Sequence, residues 1–244
     1  MTEATTTWLA GARLDETVAA LRADYRAVLV VADGLTPGPS DPSTERMLRA
    51  AEARARSVLG DAPVESHPHV AAWRDAFRAF GAKPQRTRPS VEALLRRLSQ
   101  GLPRIDRLTD AYNAVSVAHV LPVGGEDVDR YQGSLHLTRA AGDEPFETTA
   151  DGRAVIDHPE AGEVVWRDDA GVTCRRWNWR QCTRTRLTHA TRRAVFVLDA
   201  LGPMSDEALE AATQALGDAL SVTSPDAELA VRRLGTGEIS QRPP

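Results

Sequence analysis

The sequence predicts an α+β fold in a single domain. Residues 27–31 (AVLVV) and 193–198 (RAVFVL) are short continuous apolar runs, which are typical of buried strands. Residues 163–167 (EVVWR) and 172–174, joined by a polar turn at 168–171, predict a β-hairpin. Longer stretches with apolar residues at helical spacing alternate with these strands. With 244 residues, 42% of them hydrophobic, the chain can bury a substantial core.

Residues 1–60 predict an N-terminal α/β layer packed on the main domain. Leu14, Val18 and Leu21 recur at helical spacing ahead of the apolar strand. A loop rich in proline and glycine follows, and then a helix over residues 43–59 that ends near Gly60.

A helix-rich block comes next. Its aromatic stripe at helical spacing consists of Val70, Trp73, Phe77 and Phe80. Gly81 is placed to end that helix, and such a stripe more often packs in a core than binds a cofactor. Residues 83–89 form an extended basic connector, and Ser90 predicts the N-cap of a further helix that Gly101 closes.

A helix of a different kind is predicted over residues 105–120. Beside its apolar face, Asp110, Asn113 and Ser116 form a polar stripe. An asparagine inside a helix has low propensity, so either it faces solvent or its amide is aimed at a pocket or a neighbouring backbone. Both alternatives remain open from the residues alone. After the helix, Pro122, Gly124 and Gly125 predict a turn.

The last third of the chain predicts strands and one more helix. Residues 134–138 alternate like a strand, and 142–144 form a turn. Ser205 is placed to cap an amphipathic helix whose first turn is acidic. Residues 223–244 are expected to be a C-terminal extension, of which 235–244 form a loose tail.

Charge and composition exclude several classes of protein. A net charge of −4 argues against a protein that coats nucleic acid non-specifically, although it permits a local basic face. The sequence lacks a transmembrane-length apolar run and an export signal, so we expect a cytoplasmic protein without a membrane partner. The spacing of Cys174 and Cys182 and the scattered histidines fit no disulfide framework or metal site, so we expect no metal and no cofactor.

Residues 174–193 (CRRWNWRQCTRTRLTHATRR) stand apart from the rest of the chain. They hold both cysteines, two tryptophans and seven arginines, and no Asp or Glu occurs between Asp169 and Asp199. Arginine and tryptophan together bind phosphate, stack on bases or fill a pocket, so this segment predicts a site for an anionic or aromatic ligand. The alternatives are that the tryptophans belong to the core and the arginines to a solvated face. Trp177 and Trp179 would alternate on a strand, so only one of them would face the pocket.

Landmarks between residues 108 and 144 resemble the B3/B4 domain of the phenylalanyl-tRNA synthetase beta subunit. In order, they are Asp110, Asn113, Pro122, Asp127, Gly133, Arg139 and Glu144. The resemblance covers roughly residues 65–220 and is fairly specific, because it rests on a series of ordered landmarks. It implies a sheet sandwich of unusual topology wrapped by helices, with the B3/B4-like domain over 61–222. We expect a freestanding member of the family.

The resemblance also implies a function: deacylation in trans of mischarged aminoacyl-tRNA. The family's pocket histidine falls on Gly124 and its late glutamate on Asp199, so the pocket is expected to be re-lined. The predicted partner is the aminoacylated 3′ end of tRNA. The alternative is a non-catalytic module that binds aminoacyl-tRNA, RNA 3′ ends, an amino acid or a nucleotide.

The predicted site has residues in two kinds of role. For water activation and oxyanion stabilisation the residues are Asn113, Asp199 and Asp127. For substrate binding they are Ser116, Glu126, Arg175, Trp177, Asn178, Trp179 and Arg180. We expect the helix that carries Asn113, the carboxylate of Asp199 and the arginine–tryptophan segment to share one cavity.

Overall fold

The computed structural model describes residues 3–236, which form seven α-helices and eleven β-strands. The helices are α1 (Glu3–Ala10), α2 (Glu16–Leu21), α3 (Pro42–Leu59), α4 (Pro68–Ala79), α5 (Ser90–Leu95), α6 (Arg107–His119) and α7 (Asp206–Thr223). The strands are β1 (Arg13–Leu14), β2 (Arg26–Asp33), β3 (Val123–Asp127), β4 (His136–Arg139), β5 (Phe146–Ala150), β6 (Arg153–Asp157), β7 (Val164–Arg167), β8 (Val172–Arg175), β9 (Arg180–Gln181), β10 (Arg193–Ala200) and β11 (Glu228–Gly235). None of the described helices has the length and apolar character needed to cross a bilayer.

Two sheets face each other across the main core. One has the strand order β11-β2-β10-β3 and the other β1-β4-β7-β8-β9. Leu29 of β2 and Val197 of β10 share a buried cluster with Leu137 of β4 and Trp166 of β7. Because side chains alternate along a strand, one face of each sheet points into this cluster. The predicted α+β sheet sandwich is confirmed.

Helices cover the outer face of the four-stranded sheet. This outer face carries Val30 of β2 and Phe196 of β10. Both pack with Tyr112 of α6 and Leu216 of α7 in a second cluster. The other side of α6 packs on α3, α4 and α5 in a third cluster, which includes Ala114. Enclosed on both sides, α6 has every residue from 108 to 117 buried. The fold therefore buries Asn113.

The expected turn at Pro122, Gly124 and Gly125 is wrong, because these glycines lie in strand β3, which pairs antiparallel with β10. A Cβ on Gly125 would lie 3.0 Å from ring carbons of both Phe196 and Tyr112. The strand therefore uses glycine to let two aromatic rings approach its backbone.

Strand β2, from the N-terminal layer, lies between β11 and β10 in the four-stranded sheet. The segment that we expected to be a C-terminal extension supplies β11, which pairs with β2 along eight residues from Glu228 to Gly235. The division at residues 60 and 222 stays a prediction. Of the expected loose tail, residues 237–244 lie outside the described residues.

Candidate functional site

A cavity of about 300 Å³ opens between α5, α6, β3 and the end of β10. Helix α6 contributes Asn113, and β10 contributes Asp199. The loop at 176–179 and strand β9 contribute a run of residues, namely Trp177, Asn178, Trp179, Arg180 and Gln181. Strand β3 adds Gly124 and Glu126. The structure thus brings the three predicted parts of the site into one cavity.

The loop at 176–179 joins β8 to β9 in a tight hairpin, with Arg175 paired to Arg180. Arg176 and Trp177 both have left-handed backbone, with φ of 49° and 67°. Such angles are costly for bulky residues and mark a locally constrained segment. The loop also donates from the Trp177 N–H to the Val164 carbonyl at 2.7 Å.

Because of this turn, both tryptophans line the cavity, and the expected alternation on a strand is wrong. Trp177 is fully buried and contacts Tyr25 and Trp73 edge-on, with ring centroids 5.0 and 5.4 Å away. Trp179 is half-buried, and the guanidinium carbons of Arg176 and Arg180 lie 4.5 and 4.7 Å from its ring centroid. One indole is therefore a core residue that forms a wall, and the other is held by two cations.

Asp199 is a buried carboxyl group with little to compensate its charge. The Tyr25 hydroxyl donates to Oδ1 at 2.6 Å, and the Asn178 amide lies 3.5 Å from Oδ2. Burial raises the pKa of Asp199 to about 7, and the two hydrogen bonds only partly oppose it. Near neutral pH this carboxyl group can therefore both accept and release a proton.

Several other polar groups at the cavity lack a partner among residues 3–236. They are Trp166 Nε1, Asn178 Oδ1 and Ser90 Oγ, all buried. Buried polar atoms are almost always hydrogen-bonded, so unpaired ones gathered at a cavity indicate a polar ligand or ordered water. The Asn113 amide likewise lies at the cavity.

Glu126 is the second buried acid at the cavity. Its Oε2 accepts from Tyr131 Oη at 2.7 Å and from Thr185 Oγ1 at 2.6 Å. Burial nevertheless raises the pKa of Glu126, and its hydrogen bonds act in the opposite direction. Burial also raises the pKa of the Cys174 thiol nearby well above its usual range, so this cysteine is a poor nucleophile.

A profile of the B3/4 domain family matches residues 72–217, which is more than half of the chain. The chain belongs to the B3/4 domain family. The resemblance inferred from the sequence is confirmed. Among solved structures, an N-terminal fragment of the phenylalanyl-tRNA synthetase beta-subunit from Pyrococcus horikoshii is similar, with 13% identity and a TM-score of 0.46. The match covers 89% of this chain and 49% of that one, so the chain spans about half its length. A search among curated proteins found no match.

Three of the predicted site residues lie outside the cavity of this B3/4 domain. Arg175 is buried and gives Glu163 two bonds, from Nε at 2.9 Å and from Nη2 at 2.8 Å. Ser116 donates to the Leu121 carbonyl at 2.6 Å, just beyond the end of α6. Asp127 accepts from Thr191 Oγ1 at 2.6 Å and from the Asp129 N–H at 3.0 Å. These contacts are structural, so we assign none of the three residues a role at the cavity.

Acids elsewhere in the sequence neutralise much of the arginine-rich segment. Arg184 pairs with Asp168 at 2.7 Å, Arg193 pairs with Asp129, and Arg176 lies 3.5 Å from Glu163. By contrast, Arg180 is exposed, its guanidinium lies over the Trp179 ring, and its side chain makes no ion pair with an acid in residues 3–236. It is therefore the arginine of the segment that is placed at the cavity and free to bind an anion.

Sequence reasoning missed Gln181 and Tyr25. A Cβ on Gly124 would lie 3.0 Å from Gln181 Nε2, which donates to the Gly125 carbonyl at 3.0 Å. Gln181 thus takes the space beside Gly124, the position that the resemblance aligns with the pocket histidine of the synthetase domain. The position of Gln181 inside the arginine–tryptophan segment could have identified it. No sequence pattern indicated that Tyr25 would hydrogen-bond to Asp199.

Proposed function

We propose that this B3/4 domain hydrolyses the ester bond of mischarged aminoacyl-tRNA, with a water molecule as the nucleophile. The observation that supports this most directly is the presence, in one cavity, of the Asn113 amide and the buried Asp199 carboxyl group. Membership of the B3/4 domain family supports the substrate class, since the ordered landmarks of the chain resemble the B3/B4 domain of the phenylalanyl-tRNA synthetase beta subunit.

In this proposal Asp199 is the general base. It accepts a proton from a water molecule as the water oxygen bonds to the ester carbonyl carbon. It then returns this proton to the 3′-oxygen of the ribose as the bond between that oxygen and the carbonyl carbon breaks. A base is most effective when its pKa lies near the working pH, and the pKa of Asp199 is about 7. The rate constant kcat/KM should accordingly rise with pH through about 7, because only the deprotonated carboxylate accepts the proton.

Asn113 is the proposed donor to the oxyanion that forms on the carbonyl oxygen. An amide held rigidly in a buried helix donates without reorganising during the reaction. Trp177 forms a wall of the pocket for the amino-acid side chain, and Arg180 binds the phosphate next to the terminal adenosine. An aminoacyl ester is already activated, so positioning and oxyanion stabilisation are sufficient without a covalent nucleophile.

The test is deacylation of a panel of misacylated tRNAs by the wild-type protein and by Asn113→Ala. We expect turnover of at least one panel member, and a loss of about 100- to 1000-fold in kcat when the amide is removed. Arg153→Ala is the matched control, because Arg153 is exposed on β6 and lies outside the cavity lining. Unchanged melting temperatures of both variants will separate a catalytic loss from unfolding.

Two results would contradict the proposal. If every tRNA in the panel decays at the uncatalysed rate while a non-hydrolysable aminoacyl-adenosine mimic still binds, the protein is a binding module. If Asn113→Ala deacylates as fast as the wild type, the oxyanion donor has been misassigned.

A further inference from the structure

A basic groove adjoins the cavity. The groove has a volume of about 400 Å³ and runs along one side of α5. Ala93, Leu94 and Trp179 line both the groove and the cavity, so the two are continuous. The other residues that line the groove include four arginines, which are Arg86, Arg88, Arg96 and Arg97.

The groove carries more positive charge than its acids neutralise. The buried carboxylate of Glu92 is shared by three guanidinium groups, from Arg74 at 2.8 Å, Arg96 at 2.9 Å and Arg88 at 3.7 Å. Arg96 also pairs with Glu65 at 2.6 Å.

Arg86 and Arg97 are exposed, and neither side chain makes an ion pair with any acid in the part of the chain that the structure describes. The groove and its supports thus combine five arginines with two carboxylates, an excess of three positive charges.

We propose that this groove binds the phosphate backbone of the RNA strand whose 3′ end enters the cavity. Arg86 and Arg97 are the uncommitted phosphate ligands, and Arg96, which hydrogen-bonds to Glu92, and Arg88, which lies 3.7 Å from the same carboxylate, add to the positive charge of the groove. A polynucleotide suits the site better than a single anion, because the excess of three positive charges is more than one phosphate would neutralise and because the groove is continuous with the cavity. At the junction with the cavity, Trp179 with its two stacked arginines provides a planar cationic surface for a base.

This inference rests on the proposed function for its substrate, but it assigns a separate surface. Binding in the groove requires a ligand that extends upstream of the terminal adenosine, whereas binding in the cavity does not. A 3′-aminoacyl adenosine has no phosphate and should use only the cavity. An aminoacyl-tRNA should use the cavity and the groove.

The test compares Arg86→Ala/Arg97→Ala with the control Arg46→Ala/Arg153→Ala. Both pairs remove two exposed arginines without ion pairs in the described residues, so the change in net charge is the same. Binding of uncharged tRNA is measured at several salt concentrations, and hydrolysis is measured with aminoacyl-tRNA and with 3′-aminoacyl adenosine. Melting temperatures will verify that both pairs remain folded.

We expect the groove variant to bind tRNA roughly 10- to 100-fold more weakly, since each lost charged contact costs about tenfold. The slope of log K against log salt should fall by about 1.5, because each phosphate contact contributes roughly 0.7 to 0.9. Hydrolysis of 3′-aminoacyl adenosine should stay within about twofold of wild type, because the uncommitted arginines lie outside the cavity lining.

The inference is overturned if the groove variant binds tRNA with the wild-type affinity and slope. Equal weakening of both variants overturns it too, because a general charge effect would then explain the binding. A large loss of activity on 3′-aminoacyl adenosine would likewise overturn it. If the wild type hydrolyses neither substrate, the proposed function fails, whereas tRNA binding by the two variants still decides whether the groove binds RNA.

Discussion

Replacing Asp199 with asparagine is expected to stabilise the protein above neutral pH. Desolvation raises the pKa of this buried carboxyl group from 3.8 to about 7 in the folded state. In the unfolded chain the same group titrates near its ordinary value of about 3.9. Between about pH 4 and about pH 7 the native state therefore binds more protons than the unfolded state, and the free energy of unfolding falls as pH rises through this window.

The shift sets the size of the effect. The pKa of Asp199 differs by about three units between the folded and unfolded states, and each unit corresponds to about 1.36 kcal/mol. The gain in the free energy of unfolding at pH 8 therefore has an upper bound of about 4 kcal/mol. Asparagine has no charge to bury and can still accept from the Tyr25 hydroxyl. Its new N–H group can donate to Asn178 Oδ1, which has no partner among the described residues, once the Asn178 amide rotates.

The assay is urea-induced unfolding of the wild type and Asp199→Asn between pH 5 and pH 8. Only the difference between the two proteins is interpreted at each pH, because His69 titrates with the opposite sign. Burial lowers the pKa of His69 to about 4, so its contribution raises stability with pH, and it cancels in the difference. If the difference in stability does not grow with pH, or if the variant is less stable throughout, Asp199 does not carry a desolvation cost and its role as a base near neutral pH loses its physical ground.

Two further predictions test how the site is supported. Gly125→Ala should lower the free energy of unfolding by about 1 to 3 kcal/mol, because its new methyl group meets the buried ring of Phe196 at 3.0 Å. Gly124→Ala is the control and should cost less, since its methyl group meets only the flexible end of a glutamine side chain; equal costs in urea unfolding would contradict the reasoning. Arg175→Ala should cost about 3 to 5 kcal/mol, because it leaves the buried carboxylate of Glu163 without its bidentate partner. A cost below about 1 kcal/mol, measured by the same unfolding, would return Arg175 to the list of candidate ligands.

Elements with a strong local pattern could be predicted from the sequence, and elements that depend on pairing could not. An apolar run predicted strand β2, a polar turn predicted the β7–β8 hairpin, and the Ser205 cap predicted helix α7. All three lie at the predicted positions. Strands β5 and β6 are mostly exposed, and β11 also has a largely accessible pattern, so they lack the continuous apolar run of a buried strand. They are strands because a partner strand satisfies their backbone, which sequence patterns do not reveal.

Much of the lining of the cavity could be predicted from the sequence, but its geometry could not. Asn113, Asp199 and the tryptophans were named from the sequence, and all line the cavity. Both indoles reach the cavity because the loop has left-handed backbone at Arg176 and Trp177. Arginine and tryptophan rarely adopt this backbone, so the sequence did not predict it. Arg175 was misjudged for a related reason, because its carboxylate partners Asp157 and Glu163 lie beyond the segment.

The loop at 176–179 links the groove, the cavity and the proposed base through one residue. The Asn178 carbonyl accepts from the Ser90 N–H at the start of α5, at 3.2 Å, while its side-chain amide approaches Asp199. Helix α5 also carries the lining shared by the groove and the cavity. The proposed RNA strand would contact this helix, which hydrogen-bonds to the loop, and the same loop approaches the Asp199 carboxyl group. The loop is held by the hydrogen bond to Ser90 and by the Trp177 side chain in the core, and this connection is the route by which a displacement of α5 would reach Asn178. Binding of the strand and the environment of Asp199 are for this reason expected to be coupled, with Asn178 as the connecting residue.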